Sequence, residues 1–258
     1  MNKAPGMQKE NYQDWSQSSD NYNRIIHDEL NSFRPEKWQH QILSQVLEKG
    51  PLKILDAGCG PAFFTIILAG KGHQVTGIDG SEGMLEKARK NVEQLGISAD
   101  ILKMDCHHLD FSDDTFDLIV SRNVTHALWD HVQVYKEWKR VLKPGGVLLI
   151  FDANWHLTQA SGTLRETYLK DVKECIRRFG SDFNENTDPE AISYQEYEMA
   201  EKPHRLGDLQ RPDWDIGILQ ALGYQEISYD RDITDELWDD KEKLIYRTTP
   251  MFMIRGVK

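Results

Sequence analysis

Cysteine is scarce in this chain. Cys59, Cys106 and Cys175 are the only three in 258 residues. An odd count at wide spacing builds no disulfide framework, so three reduced thiols are the expectation. Long apolar runs are missing as well. No stretch approaches the eighteen or more apolar residues of a membrane span, and the polar segment Met1–Asp20 has no signal-peptide core. A cytoplasmic chain with no membrane partner is therefore expected. Positive charge is in deficit, with 31 Lys and Arg against 42 Asp and Glu, a net charge of −11. No dense basic run is present to neutralise phosphates, which argues against nucleic acid and for a neutral or cationic small-molecule partner. Internal repeats and low-complexity tracts are also absent.

What is present is a change of rhythm. Residues 1–50 read as a polar arm followed by two helical stretches, one near Asn21–Asn31 and one opening at Pro35, with Trp38, Ile42, Leu43, Val46 and Leu47 at helical spacing. Residues 51–154 alternate strand and helix. Strands are expected at Lys53–Ala57, Gln74–Asp79, Ala99–Asp105, Phe116–Ser121 and Val147–Asp152. Helices are expected at Pro61–Ala69, from the N-cap Ser81 to about Leu95, and over a segment presenting Val132, Tyr135, Trp138 and Val141 on one face. Leu142–Gly146 reads as a turn. Residues 155–211 break the pattern with a helix at Leu164–Phe179 and an acidic segment, Asp182–Glu201, as a lid or substrate insertion would. Residues 212–258 return to it with a helix over Pro212–Leu222 and closing strands at Gln225–Asp230 and Met251–Val257. The expected fold is Rossmann-like: a doubly wound, mostly parallel seven-stranded sheet, helices on both faces, and a helical lid insertion.

The densest signal is Ile54-Leu55-Asp56-Ala57-Gly58-Cys59-Gly60-Pro61-Ala62, which leaves a strand and opens a helix. Gly58 and Gly60 allow a tight turn and close approach of a ligand. Asp79 ends the next strand, where a carboxylate reaches the vicinal hydroxyls of a ribose. An ordinary tight turn accounts for the glycines taken alone, and a helix-dipole carboxylate for Asp79. Together, between these elements, they point to a nucleoside. A dinucleotide site wants Gly-x-Gly-x-x-Gly to hold a pyrophosphate; here Phe63 stands at the third glycine, and Asp56 would repel a pyrophosphate. An acidic strand end suits a ligand carrying an ammonium and a sulfonium.

At this point the chain resembles the class I S-adenosylmethionine-dependent methyltransferases, in particular the "methyltransferase type 11", UbiE-like group. The segments that carry the likeness are LDAGCGPA (55–62), VTGIDGSEGMLEKA (75–88), KMDCHHLDF (103–111), FDLIVSRNVTHAL (116–128) and RVLKPGGVLLIFD (140–152). The resemblance implies S-adenosylmethionine as cofactor, S-adenosylhomocysteine as product, and methyl transfer to a small molecule by in-line displacement. It implies that Asp56, Gly58 and Gly60 line the methionine part. Asp79, with Gly80 beside it, takes the ribose. Met84 packs on the adenine, Asp105 accepts from its amino group, and Cys106 donates a backbone N–H nearby. Asn123 would lie along the cofactor. Tyr22 would close over the sulfonium region and is a candidate for the catalytic set. The group commonly has a glycine where this chain has Ala62, which implies a slightly different turn.

For the chemistry itself, His126 follows the fourth strand at the carboxyl end of the sheet and is the candidate general base and acceptor-binding residue. Trp155 and His156, just past the fifth strand, are candidates for the same acceptor pocket. Cys106-His107-His108 places three potential ligands in a row, yet adjacent side chains on an extended chain diverge, and no metal is expected. There is no Asn-Pro-Pro-Tyr-type motif, no Pro-Cys nucleophile and no N-terminal cysteine pair, which argues against amide or adenine-amine, cytosine and arsenite acceptors. Three other readings stay open at this stage: a nucleotide-cofactor oxidoreductase, a non-catalytic S-adenosylmethionine-binding module, and an RNA or protein methyltransferase.

Overall fold

The structure, a computed structural model, describes residues 12–47, 50–183, 185–192, 206 and 209–258. Part of the acidic segment, residues 193–201, lies outside the described residues, as does the start of the arm, residues 1–11. The described chain forms two compact units. One comprises the chain through Asp152 with Asp215–Tyr229 and Met253–Lys258; the other comprises Ala153–Trp214 and Asp230–Phe252. The packing thus draws its line elsewhere than the sequence pattern did. The segment between the two closing strands joins the insertion.

The first unit begins with helices α1 (Ser19–Leu30) and α2 (Arg34–Leu43). It continues through β1 (Lys53–Ala57), α3 (Phe63–Ala69), β2 (Gln74–Asp79), α4 (Glu82–Gln94), β3 (Asp100–Lys103), β4 (Phe116–Arg122), α5 (His131–Val141) and β5 (Leu142–Ala153). Helix α8 (Asp213–Ala221), β6 (Gln225–Asp230) and β7 (Met251–Val257) complete a seven-stranded sheet of order β3-β2-β1-β4-β5-β7-β6. Strands β3, β2, β1, β4 and β5 pair in parallel. Central strands covered on both faces read as continuous apolar runs, and β1 and β4 are buried along almost their whole length. Trp38 of α2 fixes that helix on α3 and the sheet by edge-on contacts with Phe64 and Phe151, both at 5.0 Å.

Caps set several boundaries. The Ser81 hydroxyl accepts from Met84 N to open α4, and the Asp130 carboxylate accepts from Gln133 N to open α5. Two expectations change. On α5, Val132 is exposed and the buried face is His131, Val134, Tyr135, Trp138 and Val141. Residues 142–146 do not form a separate turn. Strand β5 already begins at Leu142, which pairs with Phe116, and Val147 next pairs with Leu118. The residues between bulge out of the ladder, with Gly145 at φ 78°.

The second unit carries α6 (Leu157–Ala160), α7 (Gly162–Phe179), α9 (Thr234–Leu237) and α10 (Asp240–Ile245). Helix α7 is capped by Ser161 and ends on Gly180 in the left-handed conformation, φ 85°. Among the described residues no helix is long and apolar enough to cross a membrane.

Candidate active site

The turn after β1 is built by its backbone. The N–H groups of Gly58 and Cys59 both donate to Ile78 O at 2.8 Å, tying the turn to the end of β2. Gly60 N donates to Asp79 Oδ2 at 3.0 Å, and Ser81 N donates to Asp79 Oδ1 at 2.8 Å. Burial pushes the Asp79 carboxyl up, and these N–H donors hold its charged form in place. Gly58 sits at φ 78°, and a Cβ there would lie 2.3 Å from Val124 Cγ2. Only glycine satisfies both conditions. Ala62 holds the left-handed conformation, φ 77°, at the head of α3. The turn therefore has a glycine-like conformation in spite of the alanine, at a cost of about 1–2 kcal/mol of local strain.

Asp56 is buried beneath this turn. Its Oδ2 accepts from Thr65 N at 2.9 Å and from Thr65 Oγ1 at 2.7 Å. Burial outweighs those bonds and pushes the carboxyl up to about 6.

Around the turn lies a cleft that is partly open to solvent. Of the residues expected from sequence to hold a cofactor, the cleft gathers Tyr22, Asp56, Gly58, Gly60, Asp79, Gly80, Met84, Cys106 and Asn123. Asp105 is not among its lining. The Asp105 carboxylate is engaged by His107, whose backbone N and ring Nδ1 reach Oδ1 at 2.9 and 2.6 Å. Burial pushes Asp105 up, and the His107 bonds more than reverse it, holding the carboxyl below its usual range. His107 is itself fully buried and stacks on Trp129 at 4.5 Å, so its ring is occupied in fixing this loop.

Sequence reasoning missed several lining or supporting residues, among them Arg122, Tyr12, Trp15 and Ser16. Arg122, at the end of β4, forms a bidentate pair with Glu29 at 3.1 and 2.7 Å. Its guanidinium lies over the rings of Phe63, Phe64 and Trp38, at 4.6, 5.2 and 5.4 Å. A cation ending a mostly buried strand was a usable signal for Arg122. Tyr12 and Trp15 come from the polar arm, where nothing marked them. The Tyr12 ring rests on Gly80 so closely that a Cβ there would overlap it, and its hydroxyl bonds to Asp105. Ser16 Oγ pairs with Ser81 Oγ at 2.8 Å and holds the same segment to the head of α4.

Asn123 has φ 55°, and its Oδ1 is buried with no hydrogen-bond partner among the described residues. Its side chain faces the Tyr22 hydroxyl, which burial pushes above its usual range. A buried acceptor without a donor costs about 1–3 kcal/mol.

His126 does not line the cleft, but its flanking residues Val124, Ala127 and Leu128 do. Its ring lies edge-on to Trp15 at 6.4 Å. Its Nδ1 is 3.0 Å from Oδ1 of Asp152, which is fully buried. Trp155 and His156 belong to the second unit. There Trp155 packs with Trp238 at 6.4 Å and with Tyr246 at 5.3 Å, and His156 immediately precedes α6. The three cysteines are buried free thiols, and burial pushes all three up.

This geometry, a cleft around a glycine turn with an acid on the next strand, meets matching relatives. A family model described as a methyltransferase domain matches residues 55–150. The demethylmenaquinone methyltransferase of Lysinibacillus sphaericus (strain C3-41) is 30% identical over 215 residues, covering 82% of this chain and 86% of the relative. The chain belongs to the S-adenosylmethionine-dependent methyltransferases. The demethylmenaquinone methyltransferase of Bacillus subtilis (strain 168) is 29% identical over 211 residues, 79% of this methyltransferase and 85% of that one. Among solved structures, phosphoethanolamine N-methyltransferase 2 of Haemonchus contortus, in complex with S-adenosyl-L-methionine, shares the fold. Its TM-score is 0.57 at 19% identity, over 86% of this chain and 52% of that one. A methyltransferase of Aquifex aeolicus does so with a TM-score of 0.52 at 21% identity, over 91% and 97%. S-Adenosylmethionine is thus the cofactor, and the fold is the Rossmann-like one the motifs imply.

Proposed function

We propose that this methyltransferase binds its cofactor in the cleft around Gly58–Gly60 and Asp79 and transfers the methyl group to a small-molecule acceptor in the cytoplasm. The observation that carries this reading is the pairing of Asp79, fixed by two backbone N–H groups, with the orphaned Oδ1 of Asn123 across the same cleft. Asp79 would accept from the ribose hydroxyls, and Asn123 Oδ1 would accept from the methionyl ammonium. Met84, with Gly80 and the backbone of Cys106, would take the adenine end; Asp56 would favour the cationic end through the field. The cofactor supplies a methyl group already activated by a sulfonium. The protein's part is to align the acceptor, exclude water and accept one proton. Trp15, Tyr22 and Phe63 give the cleft aromatic walls that suit both tasks. His126 is the proton acceptor in this reading, and Trp155 and His156 are candidates for holding the acceptor.

A small molecule is favoured by the net charge of −11 and by the names of the relatives, which refer to demethylmenaquinone. Calorimetry with S-adenosylhomocysteine tests the core of the reading. Wild-type protein is expected to bind with a micromolar Kd, and Asp79→Ala, confirmed folded by its melting curve, to bind about 100-fold more weakly, as loss of hydrogen bonds to a charged group implies. No binding by wild-type protein at millimolar ligand would sink it.

A further inference from the structure

Asn91 does not line the cleft. It sits on α4, almost fully buried, and its amide holds three parts of the first unit together. Its Nδ2 donates to Pro61 O at 2.9 Å and to Asn23 Oδ1 at 2.8 Å, and its Oδ1 lies 3.0 Å from His27 Nε2. The Pro61 carbonyl can only accept, so it settles which end of the amide is which. The amide oxygen therefore faces His27, and the ring nitrogen there donates. Pro61 belongs to the glycine turn, immediately before the left-handed Ala62, while Asn23 and His27 belong to α1.

The spacing on α1 shows what these bonds do. Asn23, His27 and Leu30 stand at i, i+4 and i+7, a single stripe of the helix. Asn23 and His27 meet Asn91, and Leu30 packs on Ala62, Ile66, Ala88 and Val92. Tyr22, Ile26 and Glu29 form a second stripe, one residue round. Tyr22 and Ile26 line the cleft, and Glu29 pairs with Arg122, which lines it too. A Cβ on Gly60 would meet Tyr22 Cε1 at 3.6 Å, so the Tyr22 ring stands against the turn. Both stripes share one rigid backbone, about 100° apart. Whatever fixes the first sets the rotation of the second.

We propose that Asn91 is a positioning residue of the cofactor site, which locks α1 to the glycine turn and so holds Tyr22 in place before the cofactor arrives. This deepens the cofactor reading and rests on it. An apolar contact such as that of Leu30 is non-directional and lets a helix turn or slide. The bonds of the Asn91 amide are directional and buried, and breaking them leaves the Pro61 carbonyl or the Asn23 amide unpaired, so α1 has one setting. Tyr22 then meets the cofactor already ordered. The freedom of its side chain is lost on folding and not on binding.

The test is calorimetry with S-adenosylhomocysteine on the full chain, with a melting curve for each variant. Asn91→Leu removes the amide at similar size and should bind about three- to tenfold more weakly, because the cofactor must then order Tyr22 as it binds. Tyr22→Ala has no ring left to order, so adding Asn91→Leu to it should change the affinity by less than about twofold. A merely structural Asn91 would lower the melting temperature and leave the affinity alone, or weaken Tyr22→Ala as much as it weakens wild type. Either result overturns the proposal. Should Asn91→Leu not fold, His27→Leu and His27→Gln decide. The first loses the donor to Asn91 and should bind more weakly, while the second keeps an N–H at similar reach and should stay within about twofold of wild type. Equal affinities for these two overturn the proposal. Absence of binding by wild-type protein strikes the cofactor reading and this proposal with it, whereas wild-type binding that none of these variants weakens strikes the proposal alone.

Discussion

Gly58→Ala and Gly60→Ala change the same motif by the same methyl group, yet the structure assigns them different costs. Both positions have positive φ, 78° and 51°, so either alanine incurs about 1–2 kcal/mol of left-handed strain. At Gly60 the nearest atom to the new Cβ is Tyr22 Cε1 at 3.6 Å, an ordinary contact. At Gly58 the new Cβ falls 2.3 Å from Val124 Cγ2 and 2.9 Å from Cγ1, an overlap the surrounding core resolves at about 1–3 kcal/mol. Gly58→Ala should therefore destabilise by about 2–5 kcal/mol and Gly60→Ala by about 1–2 kcal/mol. Urea denaturation followed by tryptophan fluorescence measures both. The overlap is isolated by a double-mutant cycle with Val124→Ala, which should return a coupling of about 1–3 kcal/mol to Gly58→Ala and close to none to Gly60→Ala. If Gly58→Ala proves no less stable than Gly60→Ala, or Val124→Ala gives it no relief, the close approach of Val124 to the turn is not what requires the glycine.

Arg122→Met leaves the half-buried Glu29 without its bidentate partner and should cost about 1.5–3 kcal/mol, with much of that recovered in Arg122→Met/Glu29→Met; equal stability of the single and double variants in urea would refute the pairing. Asp56 has a folded-state carboxyl raised to about 6, so its contribution to stability is fully present below about pH 4, the unfolded value, and is lost as pH rises through about 6. Asp56→Asn keeps an acceptor for Thr65 but cannot ionise. Relative to wild type it should gain on the order of 2–3 kcal/mol between pH 4.5 and 7.5, read as diverging urea midpoints, whereas parallel pH profiles would contradict the raised carboxyl.

Much of this site was legible because its signals are local. The β1 turn, the Asp79 strand end and the Ser81 cap are short-range patterns, and the structure puts the first two in one cleft. What escaped notice is held together by distant partners. Arg122 finds Glu29 ninety-three residues away, and Asp152 serves His126 from the next strand, across twenty-six residues. No spacing rule links such pairs. Tyr12 and Trp15 sit in a polar stretch whose composition says arm, and only the fold lays them on Gly80 and His126. Val132 misled for a different reason. On α5 the apolar residues occupy more than one face, and periodicity alone ranked Val132 with the core where the fold buries Val134. Asp105 carries its motif, but its neighbour His107 takes up one carboxylate oxygen, a competition that is decided in three dimensions.

The bulge in β5 separates two kinds of tolerance. Downstream of it the pairing with β4 runs without a break from Leu118 and Val147 to Arg122 and Phe151, and Asp152 follows directly. An insertion or deletion among Lys143–Gly146 would leave that pairing in register and be felt where Gly145 and Gly146 hydrogen-bond to Lys258. The same change made after Val147 would turn each following side chain to the opposite face of the sheet and take the Asp152 carboxylate away from His126. A change of length before Val147 thus concerns the contact with Lys258, while the second half of β5 must keep an even count.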